Sequence, residues 1–358
     1  MAHQIENNEH IVFHGATPWH GMGIPFDTPP TCQELIDNDT LNFPVAKWGM
    51  AVMNLDLPID ERTIYPVDGR YALVNALTGR YFATVSDSYV PFQNEDAFRF
   101  FYKMEEEGLA QIETAGLLGG GKRVWVLAKM LTEGSKHKGF NVTGKEGDEV
   151  FPYWLFSTGH DGETAITITP TTIRVVCANT LGFADAKSTD YRVRIAHKSG
   201  AHSAVADLEK ITRASFKGMV DTEEFLVHAA TLPISLKDLE NYFRNSLGLP
   251  YRDPFEVIKD QVAYEEMMDK GKRALENIQI AYEEEALTIP AKNRGSVYHA
   301  LQALTNYTGH IRNKTNAESR LNQNWFGTGN LIRQRGWELA TAGTKKGDMA
   351  QVLAPVAA

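Results

Sequence analysis

The stretch from Ile112 to Lys198 constrains this chain most, because strand-like runs follow one another there with glycine-bearing turns between them. In KRVWVLAKM, Val124, Val126, Ala128 and Met130 alternate with Arg123, Trp125, Leu127 and Lys129. That period of two places successive side chains on opposite faces of a sheet. One face is therefore core, and the other is amphipathic and suited to a ligand or a second layer. Gly119-Gly120-Gly121-Lys122 precedes a strand rather than a helix and lacks the GxxxxGK[ST] spacing, so it reads as a hairpin tip and not a phosphate loop. Phe151–Thr158 and Glu163–Thr169 are expected to pair across Gly159-His160-Asp161-Gly162, where Asp-Gly signals a tight turn. Ile166 and Ile168 should then share one face. Pro170 suits the first turn of a helix, although the β-branched run Ile173–Val176 also allows a strand.

Before this stretch, short strands are expected at Val45–Asn54, Tyr71–Asn75 and Tyr81–Ser86, the last two joined by a glycine-bearing hairpin loop. A helix should start at Asn94, with Asn94 as its cap, bury Ala97, Phe98, Phe101 and Met104, and stop at Gly108. From about Ser203 the pattern turns helical, with segments near 203–231, 235–247, 254–286, 292–313 and 329–342 and a loop at Asn322–Gly329. The expectation is an α+β protein: a mixed, largely antiparallel curved sheet over residues 1–200, followed by a helical region over 201–358.

Composition narrows the function classes. No apolar run approaches the roughly 18 residues of a membrane span, and MAHQIENNEH is unlike a signal peptide. With only Cys32 and Cys177, a disulfide framework is not expected, and a cytoplasmic setting is. The spacings of His10, His14 and His20, and of His197 and His202, match no common zinc pattern, so neither a metal nor a cofactor is expected. The net charge of −9 counts against a protein coated in nucleic acid but leaves room for a local basic groove.

Two such basic regions exist. One holds Lys187, Arg192, Arg194 and Lys198; the other runs from His310 to Lys346 and includes Arg333 and Arg335. Aromatic residues stand beside the cations, as Trp125 does beside Arg123 and Trp337 beside Arg335. Single-strand binders use this pairing, with cations for phosphates and rings for bases. The candidate phosphate contacts are Lys122, Arg123, Arg174, Arg192, Arg194, Lys198, Arg333 and Arg335, and the candidate stacking surfaces are Trp125 and Trp337. A different class would be an enzyme using Cys177 as nucleophile with His160 or His197 as base, acting on nucleotides or on a host defence component. A third would be an acidic interaction protein that binds a host factor.

PWHGMG (18–23), VSDSYVPFQNEDAF (85–98), ETAGLLGGGKRVWVLAKM (113–130), STGHDG (157–162), RVVCANTLGFA (174–184) and RIAHKSG (194–200) resemble, in order, a family of phage- and plasmid-borne proteins known as domain of unknown function 932. That resemblance implies a mobile element in a bacterial cytoplasm and carries no catalytic residues. At the level of layout, a helix at 94–107, antiparallel strands over 111–169 and a helix beginning near Pro170 look similar to phage single-strand annealing proteins such as RecT and Redβ. The similarity implies a non-enzymatic single-stranded DNA-binding protein, assembled as a ring or filament of identical copies and working beside an exonuclease or host factor.

Overall fold

The computed structural model describes residues 10–15, 23–131, 139–174, 179–182, 193–201, 208–249, 261–312 and 317–353. Among these residues there are twelve strands: β1 (Ile11–His14), β2 (Ile24–Phe26), β3 (Val45–Val52), β4 (Tyr65–Asn75), β5 (Tyr81–Ser86), β6 (Ala110–Leu118), β7 (Arg123–Met130), β8 (Phe140–Asn141), β9 (Glu149–Gly159), β10 (Ile166–Arg174), β11 (Asn179–Gly182) and β12 (Val193–Ile195). Nine of them form one sheet, ordered β11-β10-β9-β7-β6-β1-β2, with β12 beside β10 and β8 beside β9. Its pairings are antiparallel apart from β1 with β2. A second sheet has the order β3-β4-β5.

The front face of the large sheet is the expected one. Val124, Val126, Ala128 and Met130 are buried with Trp154, Phe156, Ile166 and Ile168. Helix α1 (Cys32–Ile36) and helix α2 (Asn94–Glu106) cover them, α2 through Ala97, Phe98, Phe101 and Met104. Gly108 turns the chain out of α2 at φ +66°. The cap is one residue earlier than the sequence suggests. Gln93 is the N-cap, its N–H bonded to the Asp96 carboxylate, while its side chain bonds both the N–H and the carbonyl of Val45. Asn94 is instead fully buried and serves the interior.

The back face meets a second protein layer. Trp125, Leu127 and Tyr153 pack with Leu321 and Trp325 of α7, the helix Ala317–Phe326, which occupies most of the expected Asn322–Gly329 loop. The other helices are α3 (Leu208–Ala229), α4 (Leu236–Leu247), α5 (Gln261–Thr288), α6 (Val297–Asn306), α8 (Thr328–Lys346) and α9 (Ala350–Leu353). Ser235 and Ser296 cap α4 and α6 by accepting backbone N–H bonds, and Gly248 and Gly347 end α4 and α8 in the left-handed conformation. A second core, with Tyr242, Ile278, Tyr298, Leu301 and Trp337, joins these helices to Phe140, Val142 and Val150 at the sheet's edge.

No helix begins at Pro170. Residues 166–174 form β10, with Pro170 opposite Trp154. β12 covers Ile166–Ile168 and β11 covers Thr171–Arg174, so Pro170 falls in the gap between them, a place where a strand tolerates a missing donor. The helix that the annealing-protein layout requires after the sheet is thus replaced by strand at this position.

The small sheet extends into an arm. β4 pairs with β5 only from Arg70 onward, while its first residues pair with β3 alone, down to Val52 opposite Tyr65. Val52, Met53, Leu55, Ile59, Ile64 and Tyr65 are all exposed there, Ile59 by 82%. Among the described residues no helix is long and apolar enough to cross a membrane.

Candidate nucleic-acid interface

The tip of the β6–β7 hairpin gathers several elements at one end of the large sheet. Gly119, Gly120 and Gly121 all have positive φ, which glycine adopts without strain. The Arg80 guanidinium lies directly over Gly120, where any side chain would collide, and a Cβ on Gly121 would stand 2.8 Å from Phe43 Cζ. The loop carrying Arg80 also meets Trp48, whose ring is 3.6 Å from where a Gly79 Cβ would be. Trp48 aligns across the strands with Ala72 and Thr84, so the three share a face. Thr84 Oγ1 meets Tyr81 Oη at 2.9 Å, and Met50 Sδ lies 3.5 Å away on the same face. Trp48 and Tyr81 are 47% and 52% exposed, and Arg80 and Lys122 are exposed beside them. The Arg80 loop thus links the exposed face of Trp48 and Tyr81 to the glycine turn. Trp48, Tyr81 and Arg80 were not among the candidates from sequence; the signal was Trp48 in a strand-like run, on the face opposite buried Val45.

At the same end of the sheet lies a half-buried polar cluster. Arg123 donates to Asn322 Oδ1 at 2.9 Å, Asp161 Oδ2 at 3.3 Å and Thr164 Oγ1 at 2.9 Å, and its guanidinium stacks 4.4 Å from the Phe326 ring centre. Burial alone would raise the Asp161 carboxyl, but the hydroxyl and N–H of Thr164, the N–H of Glu163 and the Arg123 charge hold it below the usual range. Arg123 therefore clamps the STGHDG turn to α7 and is not a free phosphate contact.

His160 is fully buried among Phe43, Phe82 and Asn94. Asn94 Nδ2 donates to the Leu41 carbonyl, so its Oδ1 accepts from His160 Nε2 at 2.7 Å. The ring is thus an Nε2–H tautomer, and its buried Nδ1 has no partner. Desolvation, aided by the nearby His197, pushes its pKa down to about 3. His197 stacks on Tyr89 at 5.0 Å and donates from Nε2 to the Thr164 carbonyl at 3.0 Å; burial lowers its pKa too. Burial favours the neutral form of both rings, and each Nε2 is engaged by a protein partner, so they do structural duty where the sequence offered them as bases. Cys177 lies outside the described residues, as does Arg192, and the Arg174 side chain is likewise outside them.

The remaining candidates do not converge. Arg194 and Lys198 are exposed near the same end of the sheet, Arg194 on β12 opposite Thr167 of β10. Trp125 is fully buried edge-to-face against Trp325, and Trp337 is buried against Phe225, so neither offers a ring to a base. Arg333 is buried in α8, bonded to the Asn324 carbonyl, and burial lowers its pKa to about 10. Its neighbour Arg335 is exposed but lies against Gly248, in the helical region.

A separate titratable group sits where β6 bulges between Ile112 and Thr114. Burial raises the Glu113 carboxyl and the Tyr153 hydroxyl and lowers the Lys129 ammonium, which rests 3.6 Å over the Phe151 ring. The attraction between Glu113 and Lys129 opposes both of their shifts. No group of three or more metal-ligating side chains occurs among the described residues.

A family model described as "Domain of unknown function (DUF932)" matches residues 81–326. That span takes in the hairpin tip, the histidine cluster and α7, and it crosses from the sheet region into the helices. Comparison with curated proteins and with solved structures finds no match.

Proposed function

The chain belongs to the family known as domain of unknown function 932, and since that description assigns no chemistry, we propose from the surface that it binds single-stranded DNA without catalysis, in recombination or replication of a phage or other mobile element. One observation supports the reading: Trp48 and Tyr81 stand exposed on one sheet face, and the adjoining Arg80 loop reaches the glycine turn, where Lys122 is also exposed. Sheet faces with exposed rings stack unpaired bases at about 1–3 kcal/mol each, while neighbouring cations hold the backbone. Arg194 and Lys198 extend the positive charge along the same end of the sheet. Copies of the chain assemble through the apolar arm between Val52 and Tyr65, whose exposed side chains a second copy would bury.

Anisotropy titration of a labelled oligothymidylate, at roughly 50 mM and 300 mM salt, tests the reading. Binding should weaken steeply with salt as counterions are released. It should fall in Trp48→Ala and in Arg80→Gln/Lys122→Gln. Absence of binding at the lower salt, or full affinity in both variants, would refute it.

A further inference from the structure

Far from the hairpin tip, at the start of β9, the chain forms a cavity of about 310 Å³ lined by Thr143, Gly144, Lys145, Thr288, Lys292 and Arg294, with Leu287, Ile289 and Pro290 as its apolar wall. β9 has eleven residues, so this end of the sheet is roughly 35 Å from the Gly159 end. Three cations converge here and none of the lining residues is acidic. Among the described residues, none of the three cations forms an ion pair. Lys145 Nζ donates to the Thr288 carbonyl at 3.1 Å and Arg294 Nε to the Ile289 carbonyl at 3.2 Å, bonds that aim the side chains without neutralising them. Lys292 Nζ stands 3.4 Å from where a Gly144 Cβ would be.

Hydrogen bonds within the loop hold its shape. Asn141 bonds the Lys145 carbonyl and the Gly144 N–H, and Thr143 donates to Asp148 at 2.9 Å. Two acids of the flanking segments are turned to other partners: Asp148 is buried under the loop on Thr143, and Glu285 is buried on Asn306 and Thr288; Glu146, next to Lys145, is exposed and does not line the cavity. In a chain of net charge −9, three unneutralised cations around one hollow are a positive focus in a negative field.

We infer that this cavity is a binding site for a small phosphorylated anion, a di- or triphosphate chain held by Lys145, Lys292 and Arg294. Its volume suits a nucleotide-sized ligand, and the apolar wall offers a resting place for a base or sugar. The site is separate from the proposed DNA surface and stands or falls independently of it.

Isothermal titration of the full chain in EDTA, with sodium tripolyphosphate in one arm and dATP in the other, tests the assignment. Saturable binding with Kd of about 1 mM or tighter is expected. Tighter binding of dATP identifies a nucleoside triphosphate, and equal affinity identifies the polyphosphate chain alone. The Lys145→Gln/Lys292→Gln/Arg294→Gln protein should lose about tenfold or more, whereas Lys237→Gln, on exposed α4 surface, should bind as the parent does. If the triple variant does not fold, Lys292→Gln alone carries the comparison. No saturable binding in either arm, or unchanged affinity in the cavity variants, overturns the site.

Discussion

His160 makes the fold acid-sensitive in a way that can be measured. Its ring is neutral, buried and pushed down to about 3 in the folded protein, against about 6.5 in an unfolded chain. A histidine depressed in this way contributes its full stability above the unfolded value. As pH falls the unfolded chain takes up a proton that the folded ring refuses, so stability is lost from about pH 6.5 downward, by about 2 kcal/mol between pH 7 and pH 5. Replacing the ring with the apolar His160→Phe keeps the contacts with Phe43 and Phe82 but leaves Asn94 Oδ1 without its donor. The variant should be less stable by about 1–3 kcal/mol at neutral pH. It should also lose about 2 kcal/mol less than the parent on going to pH 5. Urea unfolding at several pH values, with the slope m checked for constancy, reads both quantities. The difference between the two pH profiles reads this ring together with its coupling to His197. Parallel profiles would refute the argument.

The other expectations concern the sheet's two faces and its thiol. Trp125→Ala should cost about 3–5 kcal/mol in denaturant unfolding, because it empties the space against Trp325, yet leave oligonucleotide affinity unchanged once folded; Trp48→Ala should do the reverse. Arg123→Met strands the partly buried Asp161 and should destabilise by about 3 kcal/mol, seen as a lower melting temperature. Gly121→Ala, at φ +93° and against Phe43, should cost about 1–3 kcal/mol by the same measurement. Cys32 is buried, and desolvation followed by the Glu105 carboxylate raises its thiol far above the ordinary range, so peptide mapping after alkylation should find it unmodified until the protein unfolds.

The front face of the large sheet was legible in the sequence because burial on one side leaves a strict alternation, as in Val124, Val126, Ala128 and Met130. The back face was not. Alternation shows that Trp125 and Leu127 share a side, but whether solvent, ligand or protein meets them depends on α7, about 200 residues away in the chain. That helix was itself hidden, since Asn322 and Asn324 are poor helix formers and read as loop; contacts such as Arg123 to Asn322 hold them in place. Pro170 misled for a related reason: its local preference favours a helix start, and only the non-local gap between two short partner strands accommodates it in a sheet. The candidate cations were chosen by their neighbours in sequence, which is why Arg333 proved to be interior and Arg80 was passed over.

The closure of the sheet's back by α7 sets a timetable for synthesis. Arg123 and Asn322, which join across that interface, are 199 positions apart. At the roughly 5–20 residues per second of translation, the strands bearing Trp125, Leu127 and Tyr153 wait on the order of 10–40 s for their cover. The first strand waits about half as long, since Val12 accepts from Thr114, 102 positions later. A nascent chain therefore carries an open apolar sheet over that interval, and truncation anywhere before α7 leaves that surface permanently bare, a substrate for chaperones and proteases.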